Sequence, residues 1–268
     1  MMTFRDLLRN FFTHKDFLPP PKFIPGTLFD PLQIVFCTVV AVFIVFAAIR
    51  CAKKSESHQA KVFFVLWLLM ALTEPGITLW EMYAGRHFLW EWGNMLPLWP
   101  CSIFLYAAPF AIWGKGNVRT AACGYICTLG LLGGLINFIY PATYIRHYSC
   151  ISMAGFRTIF YHGSLIFVAL TMLLSGYHSY RNFTEWKQLL LPAIPALIVS
   201  IPANIVNFTV PRTDYMFFKM ESFFFAPIGR ATPDWLSVIL VYALYLVIHA
   251  LPYLPAFFKN RKNVSVHA

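Results

Sequence analysis

The chain has 268 residues, 59% of them hydrophobic and 12% charged, with a mean hydropathy of +0.62. That balance excludes an ordinary soluble domain and makes the bilayer the natural solvent. The net charge of +10 is scattered over separate loops, with no basic stripe to follow a phosphate backbone, so nucleic acid is excluded as a partner.

In chain order, residues 1–30 form a polar, amphipathic N-terminal segment with Asp6, Asp16 and Asp30. It lacks the apolar core and cleavage site of a signal peptide, so the first span is expected to direct insertion. Apolar stretches of roughly 20 residues, each enough to cross about 30 Å of hydrocarbon, are then expected at Pro31–Ile49, Val62–Trp80, Leu96–Trp113, Ala121–Tyr140, Thr158–Gly176, Gln188–Val206 and Asp234–Phe257. Residues 258–268 are a basic tail. The runs lack the alternation of barrel strands, and backbone groups in lipid must be satisfied internally, so these segments are helices. The predicted fold is all-α: residues 31–257 form a polytopic seven-transmembrane-helix bundle.

Seven spans put the termini on opposite sides. The loops sharing a side with the C-terminal tail carry eleven basic residues in short segments, against ten more diluted ones opposite. The positive-inside rule therefore places the N-terminus outside the cytoplasm and the C-terminus within it, across the plasma membrane if the chain is bacterial. Gly130, Gly133 and Gly134 offer a small-residue face for close helix approach. Pro192, Pro195 and Pro202 are expected to bend the sixth helix, and Pro75, Pro97, Pro100 and Pro109 the second and third.

Polar side chains inside apolar spans are costly and are the first functional candidates. Glu74 lies six residues before the end of the second expected span, Cys101 five after the start of the third, and His162 four after the start of the fifth. If all three are helical, they share one layer roughly 6–9 Å below the N-terminal surface. Asn137 and Asn204 fall near the same level. The bland reading is a buried Glu74–His162 pair that holds helices together. The functional reading is a Cys101 nucleophile with His162 as base and then acid, and Glu74 or Asn137 orienting the imidazole. This depth suits a phospholipid acyl ester. Trp99 and Asn204 are candidate substrate contacts, and Trp99 belongs with Trp80, Tyr83, Trp90 and Trp92 to an interfacial aromatic belt that can also floor a lipid groove.

Weaker features take plainer readings. Cys123 and Cys127 share a helical face and read as packing residues rather than metal ligands. His249 reads as a satisfied polar group. His147 and Cys150 lie in a loop, where an interfacial contact or a disulfide is plainer than a reactive pair. The glycan acceptor motif at Asn207 sits too near the membrane for ready use.

The run NMLPLWPCSIFLYAAPFAI resembles the third-span signature of the YwaF-like integral membrane proteins, bacterial relatives of the animal transmembrane protein 164 family. FRTIFYHGSLI is similar to the family's fifth-span element, and TEPGITLW fits its second. The resemblance implies seven helices and, from the animal branch, a cysteine–histidine acyltransferase moving a polyunsaturated acyl chain onto a lyso ether phospholipid. Carried over by motif, Cys101 is the nucleophile and His162 the histidine. Where many bacterial relatives have histidine in the LP element, this chain has Trp99 followed by Pro100, so any role of that histidine is absent here.

The expectation is therefore a membrane-embedded lipid acyltransferase or acyl hydrolase, with membrane lipids as substrate and solvent and no cofactor. Its rivals are a proton-coupled small-molecule transporter using Glu74 and His162, and a non-enzymatic seven-helix receptor or structural protein.

Overall fold

The computed structural model describes residues 2–85, 96–141, 145–181, 183, 185–210, 213–220, 229 and 231–266. Trp90 and Trp92 of the expected aromatic belt lie outside them. Among the described residues the chain forms only helices and turns. Six helices are long and apolar enough to cross a membrane, and a seventh apolar helix is shorter. The chain divides into two compact units, Met1–Trp92 with Leu131–Leu174, and Gly93–Gly130 with Ser175–Ala268.

The first unit is built on unbroken helices. A short helix α1 (Phe4–Arg9) starts at a capping box in which Thr3 accepts from Asp6 N–H and the Asp6 carboxylate accepts from Thr3 N–H. Next, α2 (Pro31–Ala52) begins where the Asp30 carboxylate caps Leu32 N–H and Pro31 supplies a preset first turn. The 29-residue α3 (Glu56–Ala84) follows, capped by Ser55 and continuing through Pro75. Two further pieces, α6 (Leu131–Ile139) and α7 (Met153–Ser175), complete the unit. The lipid-facing stripe of α2 carries Val39 and Phe43, 62% and 68% exposed, as a helix bathed in hydrocarbon should.

One glycine of the expected packing face makes the close approach. A Cβ on Gly134 would lie 2.9 Å from Ile166 Cγ1 and 3.1 Å from the His162 carbonyl oxygen, so α6 and α7 touch backbone to backbone there. Gly133 faces open space and Gly130 meets only its own helix. The N-terminal segment is docked on this unit. His14 is buried; its Nε2 donates to Glu81 at 2.9 Å and its Nδ1 accepts from Asp16 N–H. Trp80 donates to the Phe12 carbonyl at 3.1 Å.

In the second unit every span is interrupted. Helix α4 (Ile103–Trp113) has 11 residues, and α5 (Gly116–Tyr125) passes through a π-helical turn at Ile126–Gly130 before becoming α6. A 3-10 stretch, Trp186–Ala193, precedes α8 (Ile194–Thr209). A second such turn, Leu251–Tyr253, separates α9 (Asp234–Ala250) from α10 (Leu254–Val266). Pro192, Pro195 and Pro252 sit at these breaks, where a missing N–H and the ring's bulk interrupt α-helical bonding.

The third span departs from the sequence expectation. Its helix begins at Ile103 rather than Leu96, because Pro97 and Pro100 hold the preceding residues in turns. Cys101 is therefore in a turn just ahead of the helix, and the depth reckoned for it at a helical rise does not apply. The fifth helix, conversely, begins five residues earlier than expected, which puts His162 two and a half turns from its start.

Candidate functional site

The turn that carries Cys101 is non-helical backbone within an apolar segment, and such backbone needs protein partners. Three tyrosines supply them. Tyr125 donates to the Pro100 carbonyl, Tyr106 donates to the Pro97 carbonyl at 3.2 Å, and the Tyr215 hydroxyl accepts from Leu96 N–H at 2.8 Å. Tyr125 is fully buried, with its ring 5.3 Å from that of His249. His249 in turn shares a 2.5 Å hydrogen bond with Thr128 through Nδ1. Cys101 is half-buried and immediately precedes Ser102, the residue at the N-terminus of α4. There the positive end of the helix dipole favours a sulfur anion.

Beside this turn lies a strained segment, residues 213–220. Met216, Phe217 and Met220 have φ of 56°, 60° and 53°, a region costly to side-chain-bearing residues and held only where surroundings over-determine it. Asn207 provides much of that restraint: its side-chain oxygen accepts from Tyr215 N–H at 2.7 Å and its amide donates to the Tyr215 carbonyl at 2.9 Å. Tyr245 donates to the Met216 carbonyl at 2.7 Å. The Trp99 ring packs 5.0 Å from Tyr215 and 5.6 Å from Phe217. Asn207 is thus buried with both amide atoms engaged, and its glycan motif is structural.

Trp99, two residues before Cys101, accordingly packs against the 213–220 segment. Asn204 lies about one turn earlier in α8 than Asn207, donating to the Ser200 carbonyl at 3.0 Å and to the Tyr242 hydroxyl at 3.2 Å. The Tyr242 ring contacts Phe218 of the same segment at 4.9 Å.

The first unit holds the other three candidates. His162 is buried, and its Nδ1 lies 2.8 Å from the Thr158 carbonyl. A carbonyl can only accept, so Nδ1 carries the proton and Nε2 is left with its lone pair. Nε2 is buried and has no hydrogen-bond partner among the described residues. Glu74 is ion-paired with Arg157, whose guanidinium also lies 4.9 Å from the Tyr161 ring. Asn137 donates to the Gly133 carbonyl at 3.1 Å. Among the described residues no hydrogen bond joins Glu74 or Asn137 to His162; the orienting partner is the backbone of Thr158.

Sequence reasoning did not single out Tyr125, Tyr215, Tyr245 or Arg157. Arg157 is legible in the sequence as a cation one residue before the expected start of the fifth span. Cys150, for which a disulfide was a reading, is a buried free thiol, pushed up to about 12 by burial and then by its neighbour Cys37. His147, in the same loop, is shifted below the usual histidine range by burial and by Lys15 and Arg146.

A comparison with protein families matches the TMEM164 family over residues 28–260. Neither the curated proteins nor the solved structures gave a match.

Proposed function

Because the chain belongs to the TMEM164 family, which covers residues 28–260, we propose that this membrane protein transfers acyl chains between lipids through a Cys101 thioester. The observation that carries the reading is the tautomer of His162. With its Nδ1 proton committed to Thr158, Nε2 is the basic nitrogen, and nothing among the described residues competes for it. The Cys101 turn, steadied by Tyr125 and placed at a helix N-terminus, supports a nucleophilic sulfur.

In the proposed cycle, Nε2 takes the Cys101 thiol proton as sulfur attacks the ester carbonyl of a phospholipid. The tetrahedral adduct collapses to the thioester, and the departing lysolipid oxygen receives the proton from His162. A lysolipid hydroxyl then attacks the thioester, giving its proton to Nε2, and the thiol regains that proton as the new ester forms. Water in place of the hydroxyl would make the same site a hydrolase.

Purified protein incubated with acyl-labelled phospholipid should carry the label on Cys101 and pass it to added lysolipid. Cys101→Ala should abolish the adduct, and His162→Ala should slow its formation by at least 100-fold, the scale of lost general-base catalysis. Folded wild-type protein that shows neither adduct nor acyl exchange across a broad lipid panel sinks the proposal.

A further inference from the structure

The first unit contains a crevice of about 420 Å³ between α3 and α7, lined also by Phe11 of the N-terminal segment. Its volume falls within the range of about 300–1,000 Å³ typical of ligand sites. Leu72 and Gly76 line one wall and Phe156, Arg157 and Phe160 the other. Phe156 and Phe160 are four residues apart and share a face of α7; His162, two residues beyond Phe160, points roughly 200° away. The crevice is therefore distinct from the His162 environment.

Gly76 gives the crevice its depth. A Cβ built there would find no atom within 4 Å, whereas the one at Gly134 would strike the neighbouring helix. Gly76 is thus not serving contact between helices: it faces open space about two turns before the end of α3. In a bilayer, space bounded mainly by Leu and Phe side chains favours hydrocarbon, since an empty void forfeits dispersion contacts.

The single cation on the named walls is Arg157. Its planar guanidinium carries five N–H donors, so it can hold the Glu74 carboxylate and a second oxyanion together. Arg157 lies one turn from the start of α7 and Phe160 one turn deeper, the order in which a phospholipid presents its phosphate and then its chain. The segment that contributes Phe11 also exposes Arg5, Arg9 and Lys15, cations suited to a phosphate-rich surface, beside the exposed apolar residues Phe4, Leu8 and Phe12.

We infer that this crevice is a phospholipid-binding site, with one acyl chain lying against Gly76, Leu72, Phe156 and Phe160 and the phosphate on Arg157. The inference deepens the acyltransferase reading, on which it rests for the ligand's class, by giving a lipid a resting place on the opposite face of α7 from His162.

The test uses full-length protein in phosphatidylcholine nanodiscs containing a phosphatidylcholine with a photoactivatable group in its acyl chain, with adducts mapped by mass spectrometry. Adducts should concentrate on Leu72–Ile77 and Phe156–Phe160 and fall at least tenfold in Gly76→Leu, whose Cβ has open space and whose branch enters the crevice. Leu72→Trp provides a second block should the first variant fold poorly. A diacylglycerol bearing the same photoactivatable chain should label at least fivefold less, and the paired change Glu74→Gln with Arg157→Gln should bring phosphatidylcholine down to that level. Labelling should persist in Cys101→Ala, which separates this site from the catalytic proposal. Adducts spread evenly over lipid-facing positions such as Val39 and Phe43, and unchanged in both blocking variants, overturn the site. Equal labelling by the two lipids overturns the phosphate contact.

Discussion

The two units of the chain meet the demand for internal backbone hydrogen bonding in opposite ways. In the first, α2, α3 and α7 run for 22, 29 and 23 residues without a break, so apart from the donor missing at Pro75 the backbone satisfies itself and side chains are free to face lipid or pack. In the second, proline, 3-10 and π turns interrupt every span. Each interruption releases backbone groups that side chains must take up, as Tyr125, Tyr215, Tyr245 and Asn207 do. Irregular backbone at membrane depth is therefore a debt to specific side chains, and it is where a reactive group can be held at a fixed angle. Cys101 sits on such backbone; His162 sits on a regular helix and is oriented by that helix's own carbonyl.

This contrast predicts where substitutions hurt. The largest effect is expected at Asn207, because Asn207→Ala removes at once the side-chain acceptor of the buried Tyr215 N–H and the amide donor to its carbonyl, a loss of about 3 kcal/mol. Thermal unfolding in detergent should show it, together with faster proteolysis within residues 213–220. Tyr125→Phe removes one donor from the buried Pro100 carbonyl and should cost about 2 kcal/mol. It should also slow acylation at Cys101 more than its stability loss explains, measured well below the melting temperature.

In the unbroken unit, Gly134→Ala pushes a methyl toward Ile166 and the His162 carbonyl and should cost about 1 kcal/mol by overpacking. An effect larger than that of Asn207→Ala would break the comparison. The loop before α8 provides a pH-dependent counterpart. His178 is buried, its Nε2 hydrogen-bonded to the Tyr253 hydroxyl at 2.7 Å, and burial holds it down to about 4. The unfolded chain then binds more protons than the folded one below the ordinary histidine value of 6.5. Stability present above that value should be lost as pH falls toward 4, on the order of 1 kcal/mol between pH 7 and pH 5. His178→Gln should flatten the profile, read as melting temperature against pH. The smallest effect belongs to the lipid face of α2, where Phe43→Leu should change stability by no more than about 0.5 kcal/mol.

Hydropathy alone made the architecture legible, because a lipid-spanning helix needs only length and apolar character. α2 begins at Pro31, where the sequence places it, since Asp30 and Pro31 are local signals read within one turn. The candidate site was less legible. Pro97 and Pro100 are disruptive signals inside an apolar run, and a span that runs as helix through them misplaces Cys101, which sits in a turn ahead of α4. The tyrosine and asparagine bonds that hold the site join residues far apart in the chain, and no local pattern announces them. Glu74 stands out in the sequence as costly in lipid, but its partnership with Arg157 spans 83 residues and depends on where α7 begins. Gly134 was flagged with two neighbours of the same type; only contact with α7 distinguishes the one whose missing side chain matters.

The brevity of α4 also constrains how the protein is made. Eleven residues span about 16 Å, roughly half the hydrocarbon thickness, so this segment is a poor candidate for leaving the translocation channel by itself. The amide of Leu96 finds its acceptor in Tyr215, 119 residues downstream, which at about 5–20 residues per second is synthesised roughly 10 s later. Until then the stretch around Cys101 has to be sheltered by the insertion machinery or by water, and this turn is among the last parts of its unit to reach native form.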